Sequence, residues 1–299
     1  MPADSTTRDR AYFAARSIVR QWGRLTARHR AEPSFIIVGA QRCGTTSMYK
    51  TLCQHPGVLP AVLHKGVHYF DTNFQRGRGW YLAHFPTTAD LNRHEYGGQP
   101  AITGESSPYY MFHPHGAARI AATLPSVRVL VMVRDPIERA YSAHTHESAR
   151  GFEDLPFDEA IEQEEERTGA EYERMVADPE YSSFEVQHHS YIARGRYARQ
   201  LRSLSKELGR DRVHVVDSGR FFSQPEQEMP AVLEFLGLPP FETFTFERHN
   251  ARPRTSLSGQ LRARLEAEFG VEDESLIDWL GRQPSWKSDQ SSPGPDRSR

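Results

Sequence analysis

The sequence predicts an α/β fold in which a mostly parallel central sheet is flanked by helices on both faces. Short apolar runs alternate along the chain with segments of helical pattern, and the first of these runs ends in a glycine-containing turn that opens a helix. The chain has 299 residues, of which 37% are hydrophobic and 25% charged. That length and polarity are ordinary for a globular protein built around one large domain.

Two strands carry the clearest signal. Ser34 to Gly39 is a continuous apolar run of the kind found in buried parallel strands. Val127 to Val133 is a second such run, and the helix that follows it begins at Pro136, where proline suits the first turn. Weaker signals predict strands over 101–105 and 212–216, and helices over 45–54, 114–124, 157–175, 183–208 and 226–236.

One domain over residues 33–287 accommodates these elements. Residues 1–32 are rich in Arg and Ala and are predicted to form an amphipathic helical leader. Residues 288–299 are mostly Ser, Pro, Gly, Asp and Arg, a composition that predicts a disordered tail. No run approaches the roughly 20 apolar residues of a membrane span, and no secretory signal is recognised. We therefore expect a cytoplasmic protein.

Net charge and cysteine content argue against several classes of function and site. The formal net charge is −2, which argues against a nucleic-acid partner because no basic excess is present to bind a phosphate backbone. The two cysteines, Cys43 and Cys53, have no His or Cys neighbours at metal-ligand spacing. We expect neither a disulfide nor a metal site, and a reducing compartment.

The loop after the first strand has the form of an anion site. Gly39-Ala-Gln-Arg-Cys-Gly-Thr-Thr-Ser47 leaves a strand and enters a helix, so it offers backbone N–H groups and a helix N-terminus. Kinase and ATPase P-loops read GxxxxGK[ST]. Here Gly39 and Gly44 keep that separation, but Thr45 replaces the lysine and the cation is Arg42. A fold of P-loop type is therefore predicted, with a loop suited to a sulfuryl-bearing phosphate more than to a triphosphate. The alternative is a strand-to-helix turn without a ligand.

A second cation and hydroxyl follow the 127–133 strand. Arg134 lies at its carboxyl end, where open α/β sheets bind ligands, and Ser142 lies about two helical turns further on. A planar guanidinium and a hydroxyl suit a second phosphate. The alternatives are an ion pair of Arg134 with a nearby carboxylate and a surface position for Ser142.

These two motifs, GAQRCGTTS and R-D-P-x-x-R-x-x-S, resemble the 5′-phosphosulfate and 3′-phosphate sites of the sulfotransferases that use 3′-phosphoadenosine 5′-phosphosulfate (PAPS). Segments 64–71, 104–110, 194–201 and 232–238 resemble, in order, those of the heparan sulfate type and its bacterial relatives. The resemblance covers about residues 34–287 and implies PAPS as the donor. The residues it assigns to the donor are Arg42, Cys43, Gly44, Thr45, Thr46 and Ser47 for the phosphosulfate, Arg134 and Ser142 for the 3′-phosphate, and Arg196 and Tyr197 for the rest of the nucleotide pocket.

The sequence departs from the family at two positions. Arg42 replaces the usual loop lysine, which keeps the charge but excludes proton donation, so we expect electrostatic stabilisation from it. Gly66 stands where glycosaminoglycan-modifying members have a glutamate base. An acceptor hydroxyl must still lose its proton. The candidates for that base are His68, in the same segment, and Glu105, in the Gly-Glu-Ser-Ser-Pro segment.

The sequence constrains the acceptor less than the donor. Asp71 and Lys65 are expected to orient it. The glutamates at 162, 164, 165 and 166 are expected to form a solvated helix face, and the other interpretation is an acidic lid that disfavours sulfated glycans. We predict metal-independent transfer to a hydroxyl of a small-molecule, lipid-like or carbohydrate acceptor. The alternatives are an inactive sulfotransferase-like scaffold and an atypical P-loop kinase, and the oligomeric state stays open.

Overall fold

A computed structural model of the protein describes residues 25–246 and 258–288. Its centre is a five-stranded sheet in which every neighbouring pair is parallel. A separate two-stranded antiparallel hairpin lies outside it. The strands are β1 (Phe35–Gly39), β2 (Val58–Leu59), β3 (Glu95–Tyr96), β4 (Gln99–Pro100), β5 (Ile102–Ser106), β6 (Arg128–Val133) and β7 (Val213–Asp217).

Helices connect the strands. The 3-10 turns are Ala27–His29, Phe74–Arg76, Ala193–Gly195 and Arg210–Arg212. The α-helices are α1 (Thr45–Leu52), α2 (Arg78–Leu82), α3 (Thr88–Arg93), α4 (Gly116–Thr123), α5 (Pro136–Ser148), α6 (Phe157–Glu162), α7 (Glu164–Ala177), α8 (Phe184–His189), α9 (Tyr197–Leu208), α10 (Ser218–Ser223), α11 (Pro225–Leu236), α12 (Gly259–Ser275), α13 (Ile277–Leu280) and α14 (Ser285–Ser288).

The strand order, β2-β5-β1-β6-β7, places β1 at the centre of the sheet. All five residues of β1 are buried, as expected of a continuous apolar run covered on both faces. β1 pairs with β5 on one side and with β6 on the other, and Phe35 lies opposite both Gly104 and Arg128. The carboxyl ends of β1, β5 and β6 therefore meet at one edge, at the point where open α/β sheets bind ligands.

The core extends on both sides of the sheet, and the predicted α/β class with a mostly parallel sheet is confirmed. The main apolar cluster joins the strands to α1, α4, α9 and α11, and a smaller cluster joins α5 and α6 to α12. The predicted start of α5 at Pro136 is also confirmed, since Asp135 caps this helix by accepting from the N–H groups of Ile137 and Glu138.

The predicted helix over 183–208 is wrong across residues 190–196. There α8 ends and a 3-10 turn precedes α9. The cause is Glu164, which is buried and accepts hydrogen bonds from the N–H groups of Ile192 at 2.6 Å and Ala193 at 2.8 Å. A side chain from another helix thus satisfies backbone donors that a continuous helix would have paired internally.

Glu164 also corrects the expectation of a solvated acidic face. The predicted 157–175 helix is divided at Gln163 into α6 and α7, and Glu164 begins the second of them. Glu162, Glu165 and Glu166 are exposed, as expected, whereas Glu164 is only 5% exposed.

The predicted chain termini fall largely outside the described residues. Of the leader predicted over 1–32, residues 1–24 lie outside them, and the rest contains the short turn Ala27–His29. Residues 289–299 of the predicted tail also lie outside. Within 25–246 and 258–288, none of the helices has the length and apolar character needed to cross a membrane.

Candidate active site

The glycine loop joins the centre of the sheet to the N-terminus of α1. Gly44 caps this helix in the left-handed region, with φ 87° and ψ 14°. A Cβ on Gly44 would lie 2.9 Å from Cε2 of Phe222, so both the conformation and the space require glycine. Thr45 and Ser47 are buried behind the loop, while Thr46 is half-buried. The N–H groups and dipole at the start of α1 favour an anion in this cradle.

Arg42 joins the two phosphate motifs that the sequence predicted. Its Nε donates a hydrogen bond to Oγ of Ser142 on α5 at 3.2 Å. A guanidinium nitrogen of Arg134 lies 3.5 Å from the carbonyl oxygen of Arg42, at hydrogen-bonding distance. Another lies 3.6 Å from a carboxylate oxygen of Glu138. The residues that follow β1 and β6 thus form one cluster of cations and hydroxyls.

Two of the predicted nucleotide residues, Tyr197 and Cys43, lie buried next to this cluster, whereas Arg196 is directed away from it. Tyr197 is 1% exposed, and its hydroxyl donates to the carbonyl oxygen of Arg134 at 2.9 Å. The same hydroxyl lies 3.6 Å from Sγ of Cys43, a fully buried thiol whose pKa is raised by burial. Arg196 is exposed and forms an ion pair with Glu268 of α12 at 2.8 Å. In this arrangement Tyr197 and Cys43 hold backbone in place, and the guanidinium of Arg196 is directed to α12.

Sequence reasoning missed Arg194. This guanidinium is buried and donates to Oε1 of Gln41 in the glycine loop. It also donates to the carbonyl oxygen of Gln187 at 2.8 Å and stacks over the rings of Tyr109 and Phe112, 4.7 and 5.0 Å from their centroids. Burial lowers the pKa of Arg194. The Arg-Gly-Arg-Tyr segment signals this region, but nothing in its pattern distinguishes Arg194 from Arg196.

A second cation approaches the loop from the segment before β5. Nζ of Lys65 donates to Oγ1 of Thr46 at 2.8 Å. Burial and the charge of Lys50 both lower the pKa of the Lys65 ammonium. Arg42 within the loop and Lys65 next to Thr46 thus both place positive charge at the start of α1.

His68 and Asp71 form a hydrogen-bonded pair in the same segment. Nδ1 of His68 lies 2.8 Å from Oδ2 of Asp71, and the side chains are 41% and 0% exposed. Burial lowers the pKa of His68, but the hydrogen bond and charge of Asp71 outweigh it, so the pKa rises above its ordinary value. Because a carboxylate only accepts, Nδ1 carries the hydrogen and Nε2 is the nitrogen that can take a proton. A Cβ on Gly66 would lie 3.6 Å from Nε2.

Glu105, the other candidate base, is fully buried at the end of β5. It accepts hydrogen bonds from the hydroxyls of Tyr81 at 2.8 Å, Ser107 at 2.6 Å and Tyr110 at 3.1 Å, and from the N–H of Val67 at 3.2 Å. Burial raises the pKa of Glu105 to about 7. Of the two candidates, only His68 has a partly exposed side chain. In the part of the chain that the structure describes, no group of three or more His, Cys, Asp or Glu residues is arranged to hold a metal ion.

Comparison with known proteins identifies the family. The family described as the sulfotransferase domain matches residues 32–258. The chain is 27% identical over 212 residues to heparan sulfate glucosamine 3-O-sulfotransferase 5 of Mus musculus, covering 70% of this chain and 54% of that protein. It is 29% identical over 206 residues to heparan sulfate glucosamine 3-O-sulfotransferase 3B1 of Homo sapiens, covering 69% and 46%. The chain thus spans about half the length of these relatives.

A solved structure gives the same result. A sulfotransferase from Alicyclobacillus acidocaldarius superposes with a TM-score of 0.59 at 28% sequence identity, covering 84% of this chain and 97% of that one. The family match extends over both phosphate motifs, the His68 segment and the Arg194 segment. The chain belongs to the sulfotransferase domain family.

Proposed function

We propose that the protein is an O-sulfotransferase that moves a sulfuryl group from PAPS to an acceptor hydroxyl. The observation that carries this proposal is the contact of Arg42 with Ser142, 3.2 Å from Nε to Oγ. This contact brings the anion-binding loop together with Arg134 and Ser142, a second cation and hydroxyl, at one edge of the sheet. PAPS carries a 5′-phosphosulfate, which the loop can bind, and a separate 3′-phosphate, which Arg134 and Ser142 can bind.

The residues present fit such a donor. The Gly44 cradle has no room for a side chain, and the helix N-terminus behind it favours an anion. Thr45, Thr46 and Ser47 would surround the phosphosulfate, and Arg134 with Ser142 would bind the 3′-phosphate. PAPS supplies the sulfuryl group. Arg42 in the loop and Lys65 next to Thr46 supply positive charge at the site, which supports transfer without a metal ion.

His68 acts as the general base in this proposal. Nε2 takes the proton of the acceptor hydroxyl as the acceptor oxygen bonds to sulfur and the bond from sulfur to the phosphate oxygen breaks. Asp71 holds the ring through Nδ1 and stabilises the imidazolium that forms. Arg42 and Lys65 stabilise the charge that develops on the leaving phosphate oxygen. The lowered pKa of Lys65 makes its ammonium a better proton donor than a guanidinium.

The acceptor we propose is an uncharged hydroxyl on a small-molecule, lipid-like or carbohydrate body. Two of the relatives are named for action on heparan sulfate glucosamine. In this chain, Arg194 and its aromatic neighbours Tyr109 and Phe112 lie beside the loop, and Phe112 packs on Tyr172 of α7 at 5.6 Å. The same helix presents Glu165 and Glu166 to solvent. Exposed carboxylates on a helix that packs against this aromatic cluster favour a neutral acceptor over a sulfated glycan. We also propose a cytoplasmic location.

Single-turnover transfer from ³⁵S-labelled PAPS to a panel of a phenol, a long-chain alcohol and a glucosamine oligosaccharide tests the proposal. We expect transfer to at least one of them, and transfer would exclude an inactive scaffold. The His68→Ala variant should lose about 100-fold or more in rate because its base is gone. An unchanged rate would remove His68 from that role. Binding of ATP with Mg²⁺ but not of adenosine 3′,5′-bisphosphate would favour a kinase instead.

A further inference from the structure

The backbone N–H groups of three consecutive residues, 67–69, are connected through hydrogen bonds to the buried carboxylate of Glu105. The N–H of Val67 donates directly to Oε2 of Glu105 at 3.2 Å. The N–H of His68 donates to Oγ of Ser107 at 3.0 Å, and that hydroxyl donates to Oε2 of Glu105 at 2.6 Å.

The third connection has the same form. The N–H of Tyr69 donates to the hydroxyl of Tyr110 at 2.7 Å, and this hydroxyl donates to Oε1 of Glu105 at 3.1 Å. A carboxylate accepts at two oxygens and so can serve all three connections at once. The segment 67–69 is therefore held at the end of β5 by the side chain of Glu105. The bond from Val67 is direct, and those from His68 and Tyr69 pass through one hydroxyl each.

The backbone that this network holds is an unusual one. His68 has φ of +53°, in the left-handed region that L-residues rarely occupy. Such a conformation costs free energy and persists only when the surrounding structure determines it. The hydrogen bond of its N–H to Ser107 and those of Val67 and Tyr69 on either side contribute to that determination, together with the bonds that the His68 carbonyl oxygen accepts from the N–H of Asn73 at 3.0 Å and from its side-chain amide at 2.9 Å. The left-handed turn in turn places the ring against Asp71, with Nδ1 of His68 2.8 Å from Oδ2.

We propose that Glu105 is a positioning residue, which acts through Ser107 and Tyr110 to fix the turn that presents His68. The inference rests on the proposed function, in which His68 is the base. Glu105 does not touch the reacting atoms, because its carboxylate is fully buried beneath the segment that it holds. Its contribution is geometric: it keeps Nε2 of His68 where an acceptor hydroxyl can reach it.

The network contains its own control. Ser107→Ala removes the connection to the His68 N–H, and Tyr110→Phe removes the connection to the Tyr69 N–H. Tyr81→Phe removes a third hydroxyl that donates to Glu105, at 2.8 Å, but it breaks none of the three connections to residues 67–69. All three variants delete one buried hydroxyl that donates to the same carboxylate. A merely structural role for Glu105 therefore predicts similar effects from all three.

The experiment compares kcat, the Kd for adenosine 3′,5′-bisphosphate and the titration of His68 followed by NMR of the imidazole. We expect Ser107→Ala and Tyr110→Phe to lower kcat about 10- to 100-fold, since a displaced base loses alignment, with the Kd within about twofold of the wild type. They should also move the pKa of His68 back toward its ordinary value as the contact with Asp71 loosens. Tyr81→Phe should leave kcat and the His68 titration unchanged.

Equal losses of kcat in all three variants, or wild-type kcat in Ser107→Ala and Tyr110→Phe, would overturn the proposal. The two connections are independent, so either variant tests it if the other does not fold. The NMR titration needs no acceptor and can be read on the apoprotein. Failure of the wild type to bind the bisphosphate or to transfer sulfate would instead count against the proposed function itself.

Discussion

Gly44→Ala should damage both stability and donor binding, and its cost can be worked out from the loop. Gly44 has φ 87°, and alanine in the left-handed region costs roughly 1–2 kcal/mol. The new Cβ would also lie 2.9 Å from Cε2 and 3.1 Å from Cζ of Phe222, and such overpacking costs about 1–3 kcal/mol more. The expected loss is about 2–5 kcal/mol in the free energy of unfolding.

Gly281→Ala is the matched control. Gly281 ends α13 with φ 68° and ψ 10°, close to the conformation of Gly44, and a Cβ there meets nothing within 4 Å. It should therefore lose only the conformational part, roughly 1–2 kcal/mol. The effect of alanine on the unfolded chain is common to both variants and cancels in the comparison.

Urea unfolding of the two variants measures the difference, and calorimetry with adenosine 3′,5′-bisphosphate measures the effect on the site. Gly44→Ala should bind the bisphosphate at least about tenfold more weakly, since one bond to a charged group is worth that much, whereas Gly281→Ala should match the wild type. Equal destabilisation of the two variants, together with unchanged binding by Gly44→Ala, would refute this account of the loop.

Three further variants test other parts of the site. Arg134→Ala should weaken binding of the bisphosphate about 10- to 100-fold without affecting the affinity for adenosine 5′-monophosphate, as calorimetry would show. Asp71→Asn should move the acidic limb of the kcat/KM profile to lower pH, because Asp71 raises the pKa of His68 and the neutral ring is the base. The pKa of Glu105 is about 7 in the folded chain, against 4.5 ordinarily. Because the carboxyl of the unfolded chain ionises at the lower pH, the free energy of unfolding should fall by up to about 3 kcal/mol as the pH rises between these two values. Glu105→Gln should remove that slope from a series of urea titrations, and an identical slope in the variant would contradict the assignment.

The sequence predicted the parts of the fold that depend on local pattern. β1 and β6 are continuous apolar runs, and they are the two strands that carry the phosphate motifs. Because neighbouring parallel strands end at the same edge, the meeting of Arg42 with the Arg134 segment follows once β1 and β6 are neighbours in the sheet. β2 was missed because it has two residues, too few for a periodic signal.

The rest depends on contacts between distant segments. The break before α9 comes from the buried carboxylate of Glu164, which nothing in its Glu-rich surroundings distinguishes from its exposed neighbours. The contact of Arg194 with Gln41 depends on that break, so no local pattern could predict it. The hydroxyl connections from Glu105 to residues 67–69 likewise appear only when β5 and the His68 segment are side by side.

The most direct test of the central claim is calorimetry that compares adenosine 3′,5′-bisphosphate with adenosine 5′-monophosphate on the wild-type chain. Two separate anion-binding sites at the edge of the sheet predict that the 3′-phosphate strengthens binding about 10- to 100-fold, with or without Mg²⁺. Equal affinity for the two nucleotides would contradict the claim that Arg134 and Ser142 form a separate 3′-phosphate site beside the Arg42 loop.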